Sequence, residues 1–333
     1  MDPKESAQNA LLYVLDAVAG ERAAVICDDV SIDVGRAFAE GAVGLGLWSR
    51  LFVLKTGGEP RSSIPPEVRE AVASGSADIY VTIFRESERE TPFRVSIIDL
   101  ISKHRKYRLG HCPGITMDML TDGALALSAE EHRAIYSDAQ RLMSRLAGAE
   151  RVRVSSPNGT DASFRALGRD FFTDTRFDWK TYKWGNLPTG EVICAPVEDS
   201  LEGRIVCDLS IGGIGRISSP VTITARGGRA ERFECSDATV LRRVEDALSV
   251  DDAARYVGEF AFGLNRKARL SASFLEAEKV GNTIHFAFGH NTDFPGGMNA
   301  SATHMDFLVS KPTVTVTASS GREIVAMRDG VLQ

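Results

Sequence analysis

Little in this sequence points to a membrane, to nucleic acid or to an oxidising compartment. No apolar run approaches the ~18–20 residues that span a bilayer. The charged start Met1-Asp2-Pro3-Lys4-Glu5 has no apolar core behind it, so neither a membrane anchor nor a signal peptide is expected. Positive charge is in deficit, with 39 Lys and Arg against 45 Asp and Glu and a net charge of −6. Phosphate backbones need a basic surface, so nucleic acid is not an expected partner. The one basic run, Lys103-His104-Arg105-Lys106, reads as a solvated element end. The five cysteines stand at 27, 112, 194, 207 and 235, odd in number and with no Cys-x-x-Cys pair. They read as reduced thiols of a cytoplasmic protein, not as a disulfide framework or zinc ribbon. Nucleotide fingerprints are missing too. No Gly-x-Gly-x-x-Gly follows the first strand-like run, no Gly-Lys-Ser/Thr occurs, and the glycines of 41–46 fall in the wrong place.

What is present fits a soluble globular protein with room for two domains: 333 residues, 43% hydrophobic and 25% charged. Residues 1–150 alternate strand-like runs (23–27, 48–54, 77–84) with helical patterns (33–42, 65–74, 128–146). Ser128 and Glu131 match a capping box at the start of the last helix. This alternation predicts an α/β domain with a parallel sheet. From residue 151 to 333 the texture changes to short alternating runs, at 151–155, 191–195, 203–208, 221–225, 283–288, 304–309 and 313–317. One helix interrupts, over 236–247 with a continuation to 256. The expectation is a β-rich (α+β) domain, barrel-like or built on a strongly curved sheet. No internal repeat or low-complexity segment occurs.

Four strand-like segments of this half share an unusual alternation. In Gly258–Leu264 one face carries Glu259, Ala261 and Gly263, and the other Phe260, Phe262 and Leu264. In Ile284–Gly289 one face carries His285, Ala287 and Gly289, and the other Ile284, Phe286 and Phe288. In His304–Val309, His304 and Asp306 oppose Met305, Phe307 and Val309, while Glu191 opens the run 191–195. Successive strand side chains point to opposite faces, so each bulky face can enter a core while the other holds an acid or imidazole among small residues. Ionised carboxylates facing an interior cost several kcal/mol unless paired or metal-bound. No Lys or Arg stands beside them on these strands, so a cation is the natural partner. His304-x-Asp306 aims two side chains one way with backbones about 7 Å apart, a spacing that suits two ligands of one site.

Charge suggests the number of ions. Three carboxylates with two neutral imidazoles leave one divalent ion short of neutrality, whereas two ions overshoot by a charge that a bridging hydroxide cancels. That favours a two-metal hydrolytic centre. Mixed oxygen and nitrogen donors suit zinc, cobalt or manganese better than calcium or magnesium. Glu278, just before the His285 strand, and His290, at its exit, are candidate proton-moving residues; the alternative readings are a surface ion pair and a plain loop residue. Residues 291–299, with Pro295-Gly296-Gly297, form either a substrate-facing loop or a simple connection. His111-Cys112-Pro113-Gly114 reads as a turn rather than a thiol–imidazole pair.

Four ordered segments then carry a resemblance: Gly185-Asn186-Leu187-Pro188-Thr189-Gly190-Glu191, 257–265, Glu278-Lys279-Val280-Gly281-Asn282-Thr283-Ile284-His285, and His304-Met305-Asp306. Together they resemble the thermophilic aminopeptidase family, the T, S and II type of metallopeptidase. The resemblance covers most of the C-terminal half and, more faintly, the N-terminal half. It implies a cocatalytic pair of divalent metals held by Glu191, Glu259, His285, His304 and Asp306, a homodimer, and release of N-terminal residues from peptides or related small molecules. There is one departure. Thr292 stands seven residues after His285, where family members carry a tyrosine thought to assist the transition state. The sequence is also similar in outline to 2,5-dihydroxypyridine dioxygenase, which binds one ferrous iron. His285, His304 and Asp306 could supply two histidines and a carboxylate to iron(II), so a ring-cleaving dioxygenase is the alternative. A non-catalytic binding protein with a structural metal is the third reading.

Overall fold

A computed structural model describes residues 1–104 and 106–333. The chain divides into two compact units: Met1–Tyr136 with Asp174–Thr189, and Ser137–Thr173 with Gly190–Gln333.

The first unit is built on five parallel strands, β1 (Arg22–Asp28), β2 (Trp48–Leu54), β3 (Ile79–Phe84), β4 (Arg108–Pro113) and β8 (Trp184–Asn186), in the order β2-β1-β3-β4-β8. The inner strands are continuous apolar runs because both of their faces are covered. Val25, Cys27, Ile79, Val81 and Ile83 pack on one side with α1 (Pro3–Tyr13), α2 (Ile32–Gly44) and α5 (Met117–Thr121). Ala24, Ile26, Tyr80 and Phe84 pack on the other with α3 (Pro66–Ala73) and α4 (Thr91–Ser102). Asp2 caps α1, accepting from Lys4 N–H at 2.9 Å, with Pro3 in the first turn where its missing donor is harmless. The capping box at α6 (Ala129–Leu146) is made in both directions: Ser128 N–H to Glu131 Oε2 at 2.7 Å and Glu131 N–H to Ser128 Oγ at 3.2 Å. Of the basic run 103–106, Arg105 lies outside the described residues; Lys103 and His104 are exposed where α4 ends.

His111 and Cys112 sit on opposite faces of β4. His111 Nδ1 meets Thr82 Oγ1 at 2.7 Å, and burial lowers its imidazole to about 3. Cys112 lies in the other core, its thiol pushed up by burial. Adjacent strand positions cannot face each other, so the two form no catalytic pair. Gly114 follows with φ +71° and donates to the Phe84 carbonyl at 2.8 Å, closing the expected turn.

At the carboxyl ends of β1 and β3 a charged cluster closes the sheet. Arg61 pairs with the buried Asp28 and, through Nη2 at 2.5 Å, with Glu90. Arg85 reaches Glu90 Oε1 at 2.9 Å and donates its backbone N–H to Asp28 Oδ2 at 2.6 Å. Arg61 also lies over the rings of Phe84 and Phe93, at 5.3 and 4.6 Å.

The second unit holds two antiparallel sheets. One has eight strands: β5 (Ala149–Ser155), β6 (Asp161–Arg165), β10 (Glu202–Cys207), β13 (Val221–Arg226), β14 (Arg229–Glu234), β18 (Thr313–Ala318), β19 (Glu323–Arg328) and β20 (Val331–Leu332), ordered β14-β13-β10-β6-β5-β18-β19-β20. The other has seven: β7 (Phe172–Thr173), β9 (Glu191–Cys194), β11 (Ser210–Ile211), β12 (Gly215–Arg216), β15 (Val257–Gly263), β16 (Thr283–Gly289) and β17 (His304–Ser310), ordered β12-β11-β17-β16-β15-β9-β7. Where a barrel-like domain is expected from the spacing of short runs, the strands form two sheets with free ends. Phe164 of the first sheet meets Phe260 and Phe286 of the second at 5.0 and 6.2 Å. Phe262, Phe288 and Phe307 are also fully buried, each worth roughly 1.5–3 kcal/mol of transfer free energy.

Besides the part of α6 that follows Tyr136, this unit carries α7 (Ala238–Ala247) and α8 (Phe274–Ala277). Asp237 caps α7 by accepting from Thr239 and Val240 N–H. The continuation to residue 256 is not helical. Asp251 instead accepts from Ala253 N–H at 3.0 Å, Ala302 N–H at 2.7 Å and the Ser301 hydroxyl at 2.9 Å, diverting the backbone into turns.

Candidate metal centre

Antiparallel register gathers residues far apart in sequence onto one face of the seven-stranded sheet. Glu191 pairs across from Gly263, His285 from Ala261, Asp306 from Ala287, Ala287 from Glu259, and His304 from Gly289. The acids and imidazoles therefore share a face, while Phe260, Phe262, Phe286 and Phe307 fill the core behind them. The glycines serve close packing more than open space. A Cβ on Gly263 would meet the Val280 carbonyl at 2.1 Å, and one on Gly289 the Thr303 carbonyl at 2.1 Å. Ala261 and Ala287, together with Gly212 beside Asp306, keep the face itself shallow.

His285 Nε2 lies 3.4 Å from Glu259 Oε1, 3.6 Å from Glu191 Oε1 and 3.9 Å from Asp306 Oδ1. His304 Nε2 lies 3.0 Å from Glu259 Oε2 and 3.2 Å from Asp306 Oδ1. Thus all five residues expected to bind metal converge. Glu259, His285 and Asp306 each offer a donor atom within 4.8 Å of the others. Glu191, Glu259, His285 and Asp306 are buried, whereas the His304 side chain is 31% exposed. His304 Nδ1 stands 2.7 Å from the His290 carbonyl. With the proton on Nδ1, Nε2 presents a lone pair to the cluster, the usual arrangement of a metal-binding imidazole. His285 Nδ1 is buried and has no hydrogen-bond partner among the described residues.

The electrostatics report a surplus of negative charge. Burial disfavours a charged His285, yet Glu259, Glu191 and Asp306 outweigh it and push the imidazole up to about 9. Burial acts the same way on His304, and Asp306 and Glu259 again prevail, raising it well above its ordinary value. Glu259 is held below the usual carboxylate range by the two imidazoles, against its own burial. The field that would hold protons on these rings is the field that would hold metal cations.

One residue of the cluster escapes a strand-by-strand reading. Lys279 is 3% exposed, and its ammonium contacts Glu191 Oε2 and, at 2.7 Å, Glu278 Oε1. It lies in the connection between α8 and β16, not on a ligand strand, so alternation could not reveal it. The pair Glu278-Lys279 just ahead of β16 was the available signal. Glu278 is driven up by burial, with Lys279 opposing and Asp306 reinforcing the rise. It is a largely covered carboxyl, 14% exposed, paired with a buried ammonium rather than a surface one.

His290 is placed differently from Glu278. Its carbonyl orients His304, but its ring is 35% exposed and turned to its own loop, with Nε2 3.0 Å from Thr292 Oγ1 and 3.5 Å from Asp293 Oδ2. The loop 291–299 is tied down at its base. Asn291 N–H donates to Asn299 O at 2.9 Å, Asn299 N–H to Asn291 Oδ1 at 2.7 Å, and Asn291 Nδ2 to Gly258 O at 3.1 Å.

Buried carboxylates and imidazoles converging from four strands make the donor set of a divalent-metal enzyme. The chain belongs to the thermophilic metalloprotease (M29) family, whose model matches residues 128–332, the span that contains every residue of the centre. Among curated proteins nothing matches the sequence. Among solved structures, wild-type AmpT from Thermus thermophilus is similar at TM-score 0.69 and 17% identity, over 99% of this chain and 98% of that one. 2,5-Dihydroxypyridine dioxygenase from Pseudomonas putida KT2440 is similar at TM-score 0.68 and 16% identity, over 99% of this chain and 96% of that one. At these identities the likeness establishes a shared fold. No helix among the described residues is long and apolar enough to cross a membrane.

Proposed function

We propose that this chain is an aminopeptidase-type hydrolase that cleaves an amide bond with two divalent ions, zinc, cobalt or manganese, held by Glu191, Glu259, His285, His304 and Asp306. The observation that carries the reading is the placement of Glu259 between the two imidazoles. Its Oε1 faces His285 Nε2 at 3.4 Å and its Oε2 faces His304 Nε2 at 3.0 Å. A carboxylate with one oxygen toward each imidazole suits two neighbouring ions better than one. Glu191 adds a donor on the His285 side, and Asp306 lies within reach of both rings. Ions bound there would polarise the substrate carbonyl and supply hydroxide near neutral pH.

The remaining residues hold and move protons. Lys279 fixes the Glu191 and Glu278 carboxylates and offsets one of their charges. Glu278, interior and one residue from that ammonium, is the group we assign to accept a proton at Oε and return it to the leaving amine. The His290 carbonyl fixes the His304 ring, and its own imidazole is the alternative proton carrier at the solvent side.

Metal analysis of protein purified without added metal tests the reading. Near two divalent ions per chain are expected, together with release of leucine or arginine from amide reporters when cobalt or zinc is supplied. One iron per chain would instead favour the dioxygenase reading. That reading has one observation of its own, the approach of Asp306 Oδ1 to both imidazoles at 3.9 and 3.2 Å.

A further inference from the structure

Beside the metal centre two aromatic rings form a wall that the chemistry so far leaves unused. Phe172 on β7 pairs in register with Ile193 on β9. Ile193 shares its face with Glu191, two residues before it, so Phe172 stands on the same face of the sheet as the metal-binding side chains. Phe294, from the loop after β16, meets Phe172 with ring centroids 5.6 Å apart at 48°. Its other side meets the His304 ring at 6.1 Å and 82°, edge to face. Both phenylalanines are half-buried, although a folded chain could have hidden them fully.

The loop that carries Phe294 is held for this placement. Glu198 accepts from Met298 N–H at 2.8 Å and Asn291 Nδ2 at 3.4 Å, and pairs with Arg169 Nη2 at 2.5 Å. The Arg169 side chain lies beneath Gly296, where a Cβ would stand 3.2 Å from its Cδ and Nη1. A buried ion pair, two asparagines and a glycine thus fix the loop from both ends. Such fixing is costly to build for a mere connection, and it delivers one aromatic ring to the edge of one imidazole.

We infer that Phe172, Phe294 and Ile193 form the wall of a substrate side-chain subsite next to His304, selecting substrates with an apolar, above all aromatic, group beside the bond to be cleaved. The wall offers ring faces and edges and no charge, so an acidic or very small side chain gains nothing there. The inference rests on the hydrolase reading for the word "cleaved", but the recognition itself does not. Arg169 and Glu198 are positioning residues that act through the loop.

The test is binding of amino-acid hydroxamates, which chelate divalent metal through one end and present a side chain at the other, titrated calorimetrically into the zinc-loaded protein. Phenylalanine hydroxamate should bind about tenfold or more tightly than glycine hydroxamate, the scale that an apolar pocket discriminates. Phe294→Ala should bring that ratio close to one. Phe172→Ala, on a strand rather than the loop, should lower it too and so guards against a loop that merely collapses. Equal affinities in the native protein, including no binding of either compound, would overturn the inference, as would a ratio unchanged in both variants. Amide reporters that are not hydrolysed while the hydroxamate ratio persists would count against the hydrolase reading alone.

Discussion

The two units each bury a cluster of charges, and the clusters differ in one respect. In the first unit Asp28 and Glu90 face Arg61 and Arg85, so the cluster is neutral and complete. It occupies the carboxyl ends of β1 and β3, where the strand order reverses and where open α/β sheets commonly admit a ligand. That place is filled by the protein's own side chains. In the second unit Glu191 and Glu278 meet the Lys279 ammonium, while Glu191, Glu259 and Asp306 surround two imidazoles. Among these named groups, with neutral rings, four negative charges meet one positive. A buried cluster that closes on itself holds a fold together; one that does not is built for something else to complete.

The largest expected effect comes from removing the surplus. On the proposed two-metal reading, Glu259→Ala should lower amide hydrolysis by about 10³-fold or more, since several kcal/mol of transition-state stabilisation would depend on the ions it helps to hold. Metal analysis of the same variant should find at most one ion per chain. A variant that keeps two ions would take Glu259 out of the centre.

Next in size, Arg61→Met takes the paired guanidinium from buried Asp28, and Lys279→Met takes the ammonium from buried Glu191, each at a cost of about 3–5 kcal/mol. The comparison predicts a difference between them. Excess zinc should restore much of the loss in Lys279→Met, where an ion can stand in for the ammonium, and none in Arg61→Met. Chemical denaturation with and without zinc reads this directly, and equal responses would erase the distinction between the two clusters.

The smallest effect is one of pH. Burial raises the Glu90 carboxyl, but Arg61 and Arg85 prevail and hold it at about 2 against an ordinary 4.5. A depressed carboxyl stabilises the fold above its unfolded value and loses that contribution as pH falls toward the folded one. The stability gap between the native protein and Glu90→Gln should therefore be full above about pH 4.5 and close as the pH drops toward 2. A gap that stays constant over this range would mean that the ion pairs contribute little.

Much of the second cluster was legible because it obeys a local rule. Strand alternation at 258–264, 284–289 and 304–309 separates polar from apolar side chains two residues at a time, and nothing beyond neighbours is needed to see it. Lys279 was not legible as a partner because it arrives from a connection and meets Glu191 only through the fold. The first cluster was hidden for the same reason. Asp28, Arg61, Arg85 and Glu90 lie on separate segments, and no periodicity links them. The parallel sheet was readable from its alternating strands and helices, but β8 was not, because it is three residues long and joins β4 only after the chain has passed through the second unit. The expected barrel came from strand spacing, which says how many short strands there are and not how they close.

Solvent reaches the metal-binding residues unevenly. Among the five, the side chain of His304 is 31% exposed and none of the others exceeds 8%. The centre therefore has a front and a back. Among the five, the His304 edge is the one open to bulk water, and the Phe294 ring stands 6.1 Å from it. On the proposed two-ion reading, loss of metal to a chelator should accordingly be biphasic. On that reading, the opening proposed for the substrate would also set the rate of metal exchange.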